Sequence, residues 1–337
     1  MSADLTSFVR ALPKVELHLH LLGSASPQTV VGLAARYPGS SVPADLDRLR
    51  EYYEFRDFPH FIDVYKNVAA LVRDGDDIRA LTVGLARDLA AHTVRYAEVM
   101  VAPYLHQVLG MPVEELIAGL SMGRREAASA HGVAINWIFD VPGEYGVAAG
   151  EQTIGIIRRM HPDGLVGFSL AGIEQGVDRR DFTDVFAQAR ALGLHSVPHA
   201  GETTGPATIW AAIRELKAER IGHGTSCMSD DRLVEHLGEQ RIPIEVCPTS
   251  NVRTRAVADM SAHPVAAMLS TGLTVTVNTD DPPMFGADLT GEYLHVARLA
   301  GLDRAGVARL AANGVSASFL DNSAKSALLG EIAEAVA

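Results

Sequence analysis

The sequence predicts an α/β protein: a (β/α)8 barrel of the TIM type with a helical insertion after its first strand. Eight short apolar runs, at 15–20, 94–101, 134–140, 164–170, 194–199, 219–223, 242–247 and 272–278, stop at polar or glycine-rich turns. Segments of helical period separate most of them, among them 113–130, 181–192 and 230–240. Strands that alternate with helices pack as a parallel sheet covered by helices. The length, 337 residues, exceeds the roughly 250 of a plain barrel and leaves room for insertions.

The largest insertion, 24–93, reads as several helices opened by the turn Ser24-Ala25-Ser26-Pro27. Its aromatic stretch from Tyr52 to Phe61 is either core between those helices or an apolar wall over the barrel mouth. No linker, repeat or low-complexity tract divides the chain. Residues 1–337 are therefore expected to form a single domain in which 24–93 covers the active site.

Composition narrows the function. The net charge is −12, and the 29 Lys and Arg are scattered singly, so the basic footprint of a nucleic-acid or membrane-surface binder is missing. A small polar substrate fits better. The two cysteines, Cys227 and Cys247, have no C-x-x-C spacing and are outnumbered by thirteen histidines. That argues against a disulfide framework or a thiolate zinc site and makes reducing cytoplasm the expected location. The opening Met1-Ser2-Ala3-Asp4-Leu5 lacks a basic segment followed by an apolar one. No run approaches the roughly 18 apolar residues of a membrane span.

Barrel enzymes carry their chemistry at the C-terminal ends of the strands, so the residues that follow each apolar run are the test. The first run ends in His18 and His20, the fifth in His199-Ala200-Gly201-Glu202, the sixth in Gly222-His223-Gly224 and the eighth in Asn278-Thr279-Asp280-Asp281. Residues two apart on a strand share a face, so His18 and His20 can grip one ion together. With His199 and Asp280 they make three imidazoles and a carboxylate, a ligand set suited to one Zn²⁺ per chain with a position left for water. Zinc lowers the pKa of such a water toward about 7.

Glu202, three residues past His199, can face the same cavity without binding metal, as a general acid or base does; otherwise it is a solvated loop glutamate. His223, between two glycines, either stabilises charge in the attack or simply occupies a tight turn. Asp281 is a substrate contact or a solvated turn residue before prolines. Cys247 reads as a small buried hydrophobe with no activating partner.

These motifs resemble the adenosine deaminase family, in order and over nearly the whole chain. Leu12-Pro13-Lys14-Val15-Glu16-Leu17-His18-Leu19-His20 is similar to its opening signature, and His199-Ala200-Gly201-Glu202, Gly222-His223-Gly224 and Thr279-Asp280-Asp281-Pro282 to its later ones. The resemblance implies a zinc barrel that hydrolyses the 6-amino group of a purine to a 6-oxo group and releases ammonia. It implies zinc on His18, His20, His199 and Asp280, a proton from Glu202 to purine N1, orientation of the attacking hydroxide by His223, and Asp281 at N7. Gly172, in Ser169-Leu170-Ala171-Gly172, matches the glycine whose backbone binds N3.

One departure bears on the substrate. Two positions after the His-x-His pair, where adenosine enzymes have an acidic acceptor for the ribose 5′-hydroxyl, this chain has Leu22. An unmet hydroxyl there costs about 1–3 kcal/mol, so free adenosine is expected to be a poorer substrate. The stretches 23–27, 139–144, 199–206 and 282–286 are similar to those of bacterial aminodeoxyfutalosine deaminases of the menaquinone pathway, a branch whose substrate carries an aromatic carboxylate at its 5′ end. On that reading Phe55 and Phe58 line the aryl subsite and Arg56 or Lys66 meets the carboxylate. The alternatives are a deaminase of adenosine, adenine or another 5′-modified adenosine and, in another class, a catalytically silent nucleoside-binding barrel. Neither nucleic acid nor membrane is an expected partner, and the chain is expected to be a monomer or homodimer.

Overall fold

The computed structural model describes residues 3–336. Its inner wall consists of parallel strands β1 (Lys14–His20), β2 (Val94–Val101), β3 (Ala134–Pro142), β4 (Leu165–Ala171) and β5 (His195–Ser196), followed by β6 (His199–Ala200), β7 (Ile221–His223), β8 (Ile244–Val246) and β9 (Val275–Val277). β1 to β5 pair in order, and so do β6 to β9.

The fifth run, expected as one strand over 194–199, is split at Val197-Pro198. Proline has no N–H for a ladder, yet the stave continues, because Val197 N–H donates to Phe168 O at 3.0 Å and Pro198 O accepts from Gly222 N–H at 3.1 Å. The wall also meets itself. Leu19 bridges Asp280 in parallel, His20 N–H donates to Asp280 O, and Asp280 N–H donates to His18 O, each at 3.1 Å. The seam of the barrel thus passes through three predicted site residues.

The segment after β1 folds as four helices, α2 (Pro27–Arg36), α3 (Leu46–Tyr52), α4 (Phe58–Ala69) and α5 (Gly75–Ala91), the chain having begun with α1 (Ala3–Ala11). Ser26, Asp45, Asp57 and Asp74 each cap the N-terminus of the helix that follows, their side-chain oxygens accepting from backbone N–H groups of the first turn. α5 packs against β2 and against α7 (Val113–His131), which follows the short α6 (Pro103–Val108). It is a helix of the barrel's outer ring, packed on β2 like the helices that follow the later strands.

α5 and α7 approach closely because α7 offers small residues there. A Cβ added at Gly123 would lie 2.6 Å from Thr82 Cβ. Gly123→Val is therefore expected to lower the unfolding free energy by about 1–3 kcal/mol through overpacking. A urea titration measures this, and an unchanged midpoint would show that the two helices separate without cost.

Candidate active site

His18, His20, His199 and Asp280 converge at the C-terminal mouth of the barrel. The coordinating nitrogens of the three histidines lie within 4.8 Å of one another. His20 Nε2 is 3.2 Å from His199 Nε2, and Asp280 Oδ1 is 3.5 Å from His18 Nε2 and 3.3 Å from His20 Nε2. His18 Nε2 is buried and has no hydrogen-bond partner. An orphaned imidazole nitrogen facing two others and a carboxylate is what a metal ion would satisfy.

The electrostatics make the same demand. Burial works against a charged His18 and His20, but carboxylates beside them (Asp280 and Glu245 for His18, Asp140 and the Asp280–Asp281 pair for His20) outweigh it and raise their pKa values to about 10 and about 9. His199 is held neutral, well below its ordinary value, by burial and by the neighbouring imidazoles. The pocket calls for positive charge, which a divalent cation would supply while leaving the imidazoles neutral.

Each of these side chains is oriented from behind, as metal-binding imidazoles usually are. Glu245 Oε2 on β8 accepts from His18 Nδ1 at 2.8 Å. Ser169 Oγ lies 3.3 Å from His199 Nδ1, and Ser250 donates to Asp280 Oδ2 at 2.6 Å. Asp280 and His223 adopt φ of +68° and +61°, strained for non-glycine residues and tolerated only where the surroundings fix them.

Glu202 sits across the cavity, its Oε2 3.6 Å from His223 Nε2 and its Oε1 accepting from Thr254 Oγ1 at 2.9 Å. Burial, then repulsion from Asp280, raises its carboxyl to about 8. Burial first, then His18, lowers His223 to about 3, so the ring is neutral. Asn251 Nδ2 donates to His223 Nδ1 at 3.1 Å, which leaves the ring proton on Nε2 toward Glu202 and Asp280. Asp281, buried and beside Asp280, has its pKa raised well above the carboxylate range, and its Oδ1 has no partner.

A cavity opens from this cluster. His20, His199, Glu202, His223, Asp280 and Asp281 form its floor, while Phe58, Phe61, Ile62, Tyr65 and Lys66 of α4 form one wall. Gly172 also lines it; its φ of +77° and the nearby Glu144 carboxylate leave no place for a Cβ.

Three of the expected substrate contacts do not reach the cavity. Leu22 is 2% exposed and packs into the hydrophobic core just beyond β1. Phe55 packs edge-to-face against Phe61 and Phe285, at 5.3 and 6.0 Å between ring centroids, behind the wall. Arg56 is exposed in the loop before α4. Lys66 is the expected cation that does line the cavity, 3.6 Å from Glu144 Oε1. The aromatic stretch thus supplies both core and wall.

A parallel barrel with three imidazoles, a carboxylate and a proton-bearing glutamic acid at one mouth defines a barrel amidohydrolase. The chain belongs to the adenosine deaminase family, whose model it matches over residues 13–335. Members of this family are metal-dependent hydrolytic deaminases. It is 50% identical over 331 residues to an aminodeoxyfutalosine deaminase of Streptomyces avermitilis, covering 98% of this chain and 92% of that one. The crystal structure of an adenine deaminase from Arthrobacter aurescens superposes with a TM-score of 0.92 at 32% identity, covering 97% of this chain and 99% of that one. An amidohydrolase from Burkholderia ambifaria, solved with bound Zn, superposes with a TM-score of 0.90 at 26% identity, covering 100% and 94%. No helix among the described residues is long and apolar enough to cross a membrane.

The segment that holds the site's partners is itself anchored by a buried acid. Both carboxylate oxygens of Glu292 accept from Thr249 N–H at 3.2 Å, at the start of the helix Pro248–Arg253 that carries Ser250 and Asn251. Burial raises Glu292 to about 8. The folded chain therefore keeps this proton up to about pH 8, whereas the unfolded chain loses it near the ordinary 4.5. The stability this group contributes is complete below pH 4.5 and lost as pH rises through 8. Relative to Glu292→Gln, the native protein is expected to lose stability between pH 5 and 8.5. Urea unfolding of both at each pH measures this, and a constant difference would contradict it.

Proposed function

We propose that this protein is a zinc-dependent aminohydrolase that replaces the 6-amino group of an adenine nucleoside by oxygen and releases ammonia. Its substrate on this reading is 6-aminodeoxyfutalosine or a nucleoside of the same kind, with an aromatic carboxylate at the 5′ end. The observation that carries the reading is the convergence of His18, His20, His199 and Asp280 around an unpartnered His18 Nε2, with Glu202 across the same cavity. Likeness to the Streptomyces avermitilis enzyme supports the substrate.

His18, His20, His199 and Asp280 would hold the ion. Zinc bound there would supply an activated water at neutral pH by lowering its pKa toward about 7. Glu202, with its carboxyl raised to about 8, brings a proton to purine N1 and so makes C6 more electrophilic. Neutral His223, with its Nε2–H facing the floor, orients the attacking oxygen. Asp281 keeps its proton and donates to N7, and Gly172 meets N3 through its backbone. α4 serves as cover, with Phe58 against the aryl group and Lys66 at its carboxylate. The reading extends to a cytoplasmic location, supported by two free, buried cysteines.

Likeness to the Arthrobacter aurescens structure favours a second reading, in which free adenine is the substrate. Loss of purine absorbance with adenine, adenosine and the 5′-aryl carboxylate nucleoside, assayed in parallel, separates the two. The expected kcat/KM is highest for the carboxylated nucleoside by at least about tenfold. Preference for adenine would move the assignment to the second reading. Lys66→Met is expected to raise KM for the carboxylated substrate about tenfold and to spare 5′-deoxyadenosine, whereas equal effects on both would remove Lys66 from the role.

A further inference from the structure

Asp140, at the end of β3, has no part in the chemistry above, yet it is built into the same cavity. It is 4% exposed, lines the cavity beside Pro142 and Gly172, and leans its Oδ2 on His20 Nδ1 at 3.5 Å. Its other oxygen, Oδ1, is buried without a hydrogen-bond partner. A buried carboxylate oxygen with no donor is costly, and Asp140 lines a cavity whose ligand can bring one.

The order of the staves says which part of a nucleoside comes there. With the base placed as proposed, N1 faces Glu202 after β6, N3 faces Gly172 after β4 and N7 faces Asp281 after β9. Around the purine ring, N9 lies on the arc between N3 and N7 that does not contain N1. Around the barrel, the matching arc from β4 to β9 that avoids β6 runs through β3, β2 and β1, because β1 pairs with β2 and closes on Asp280. The substituent on N9 therefore leaves over β1 to β3. Within that sector β3 adjoins β4, so Asp140 comes nearest the sugar edge on the N3 side, which in an anti nucleoside is the edge that carries the 2′- and 3′-hydroxyls.

We infer that Asp140 is a specificity-determining residue that accepts a hydrogen bond from the ribose diol through Oδ1, while Oδ2 holds His20. It provides a hydroxyl acceptor in a chain whose Leu22 is buried in the core and provides none. The inference rests on the nucleoside reading given above and adds the sugar subsite to it. It also gives the enzyme a physical basis for preferring a nucleoside over a free base, since only a sugar satisfies that oxygen.

The test pairs a protein change with a substrate change. Wild type, Asp140→Asn and Asp140→Ser, each loaded with zinc, are assayed with adenosine, 2′-deoxyadenosine, 3′-deoxyadenosine and adenine, and zinc affinity is measured by chelator competition. The expected result is a loss of at least tenfold in kcat/KM for adenosine in both variants, carried mainly by KM. One of the two deoxynucleosides, already poor with wild type, should lose less than threefold. Equal losses for all nucleosides, accompanied by weaker zinc binding, would show that Asp140 only positions His20 and would overturn the proposal. If wild type turns over adenine and no nucleoside, the nucleoside reading itself fails and takes the sugar subsite with it. Wild-type turnover of nucleosides without the pairing effect overturns the sugar subsite alone.

Discussion

The site depends on a buried chain of charge that crosses the barrel interior. His18 is held by Glu245, Glu245 by Arg220, and Arg220 by Glu98, all with side chains at most 1% exposed. Tyr96 and the Phe319 N–H donate to Glu98, and the Arg220 guanidinium also reaches Ala317 O and packs on the Phe319 ring. An unpaired carboxylate or guanidinium at this depth would be strongly destabilising, so each member requires the next. The consequence at the mouth is a fixed ring orientation. Glu245 accepts a hydrogen bond from His18 Nδ1 and so turns Nε2 toward His20, His199 and Asp280. Arg220 also keeps Glu245 ionised against the cost of burial.

The seam of the barrel adds a second constraint. Asp280 and His223 hold strained backbone conformations, and Asp280 is pinned on both sides by main-chain bonds to His18 and His20. The carboxylate and the imidazoles therefore arrive at the cavity on rigid strands rather than on mobile loops, the condition for precise chemistry. Burial raises all three acids, and the imidazoles around one of them divide the labour. Asp280, surrounded by imidazoles, is driven far below the carboxylate range, while Glu202 and Asp281 are driven above it. Acids pushed apart in this way can act as ligand and as proton donors within one pocket at one pH.

The barrel was legible because its strands are apolar runs that stop abruptly, and the residues at those stops turned out to share one mouth. What the sequence hid lay one layer further in. Glu245, Arg220 and Glu98 sit inside apolar runs, where a single charge looks like an interruption of the pattern, and only their mutual distances show that they are paired. Asp140 stands at the stop of the third run, but a lone carboxylate there carries no metal or catalytic pattern of its own. The insertion was harder to read because aromatic residues serve core and wall alike: Phe58, in the first turn of α4, lines the cavity, whereas Phe55, in the loop before it, packs against Phe285, a difference set by backbone path and not by residue type. Family resemblance pointed to Leu22, and residue type and location in the insertion to Arg56, but the turn after β1 folds the first into the core and the loop before α4 leaves the second in solvent.

His18, His20, His199 and Asp280 are expected to bind a single zinc ion. Anomalous diffraction on either side of the zinc edge, from crystals of the protein as isolated, tests it most directly. The predicted result is one strong peak per chain about 2.0–2.2 Å from His18 Nε2, His20 Nε2, His199 Nε2 and an Asp280 oxygen. A peak on another set of ligands, or none at this mouth in protein that deaminates, would contradict it.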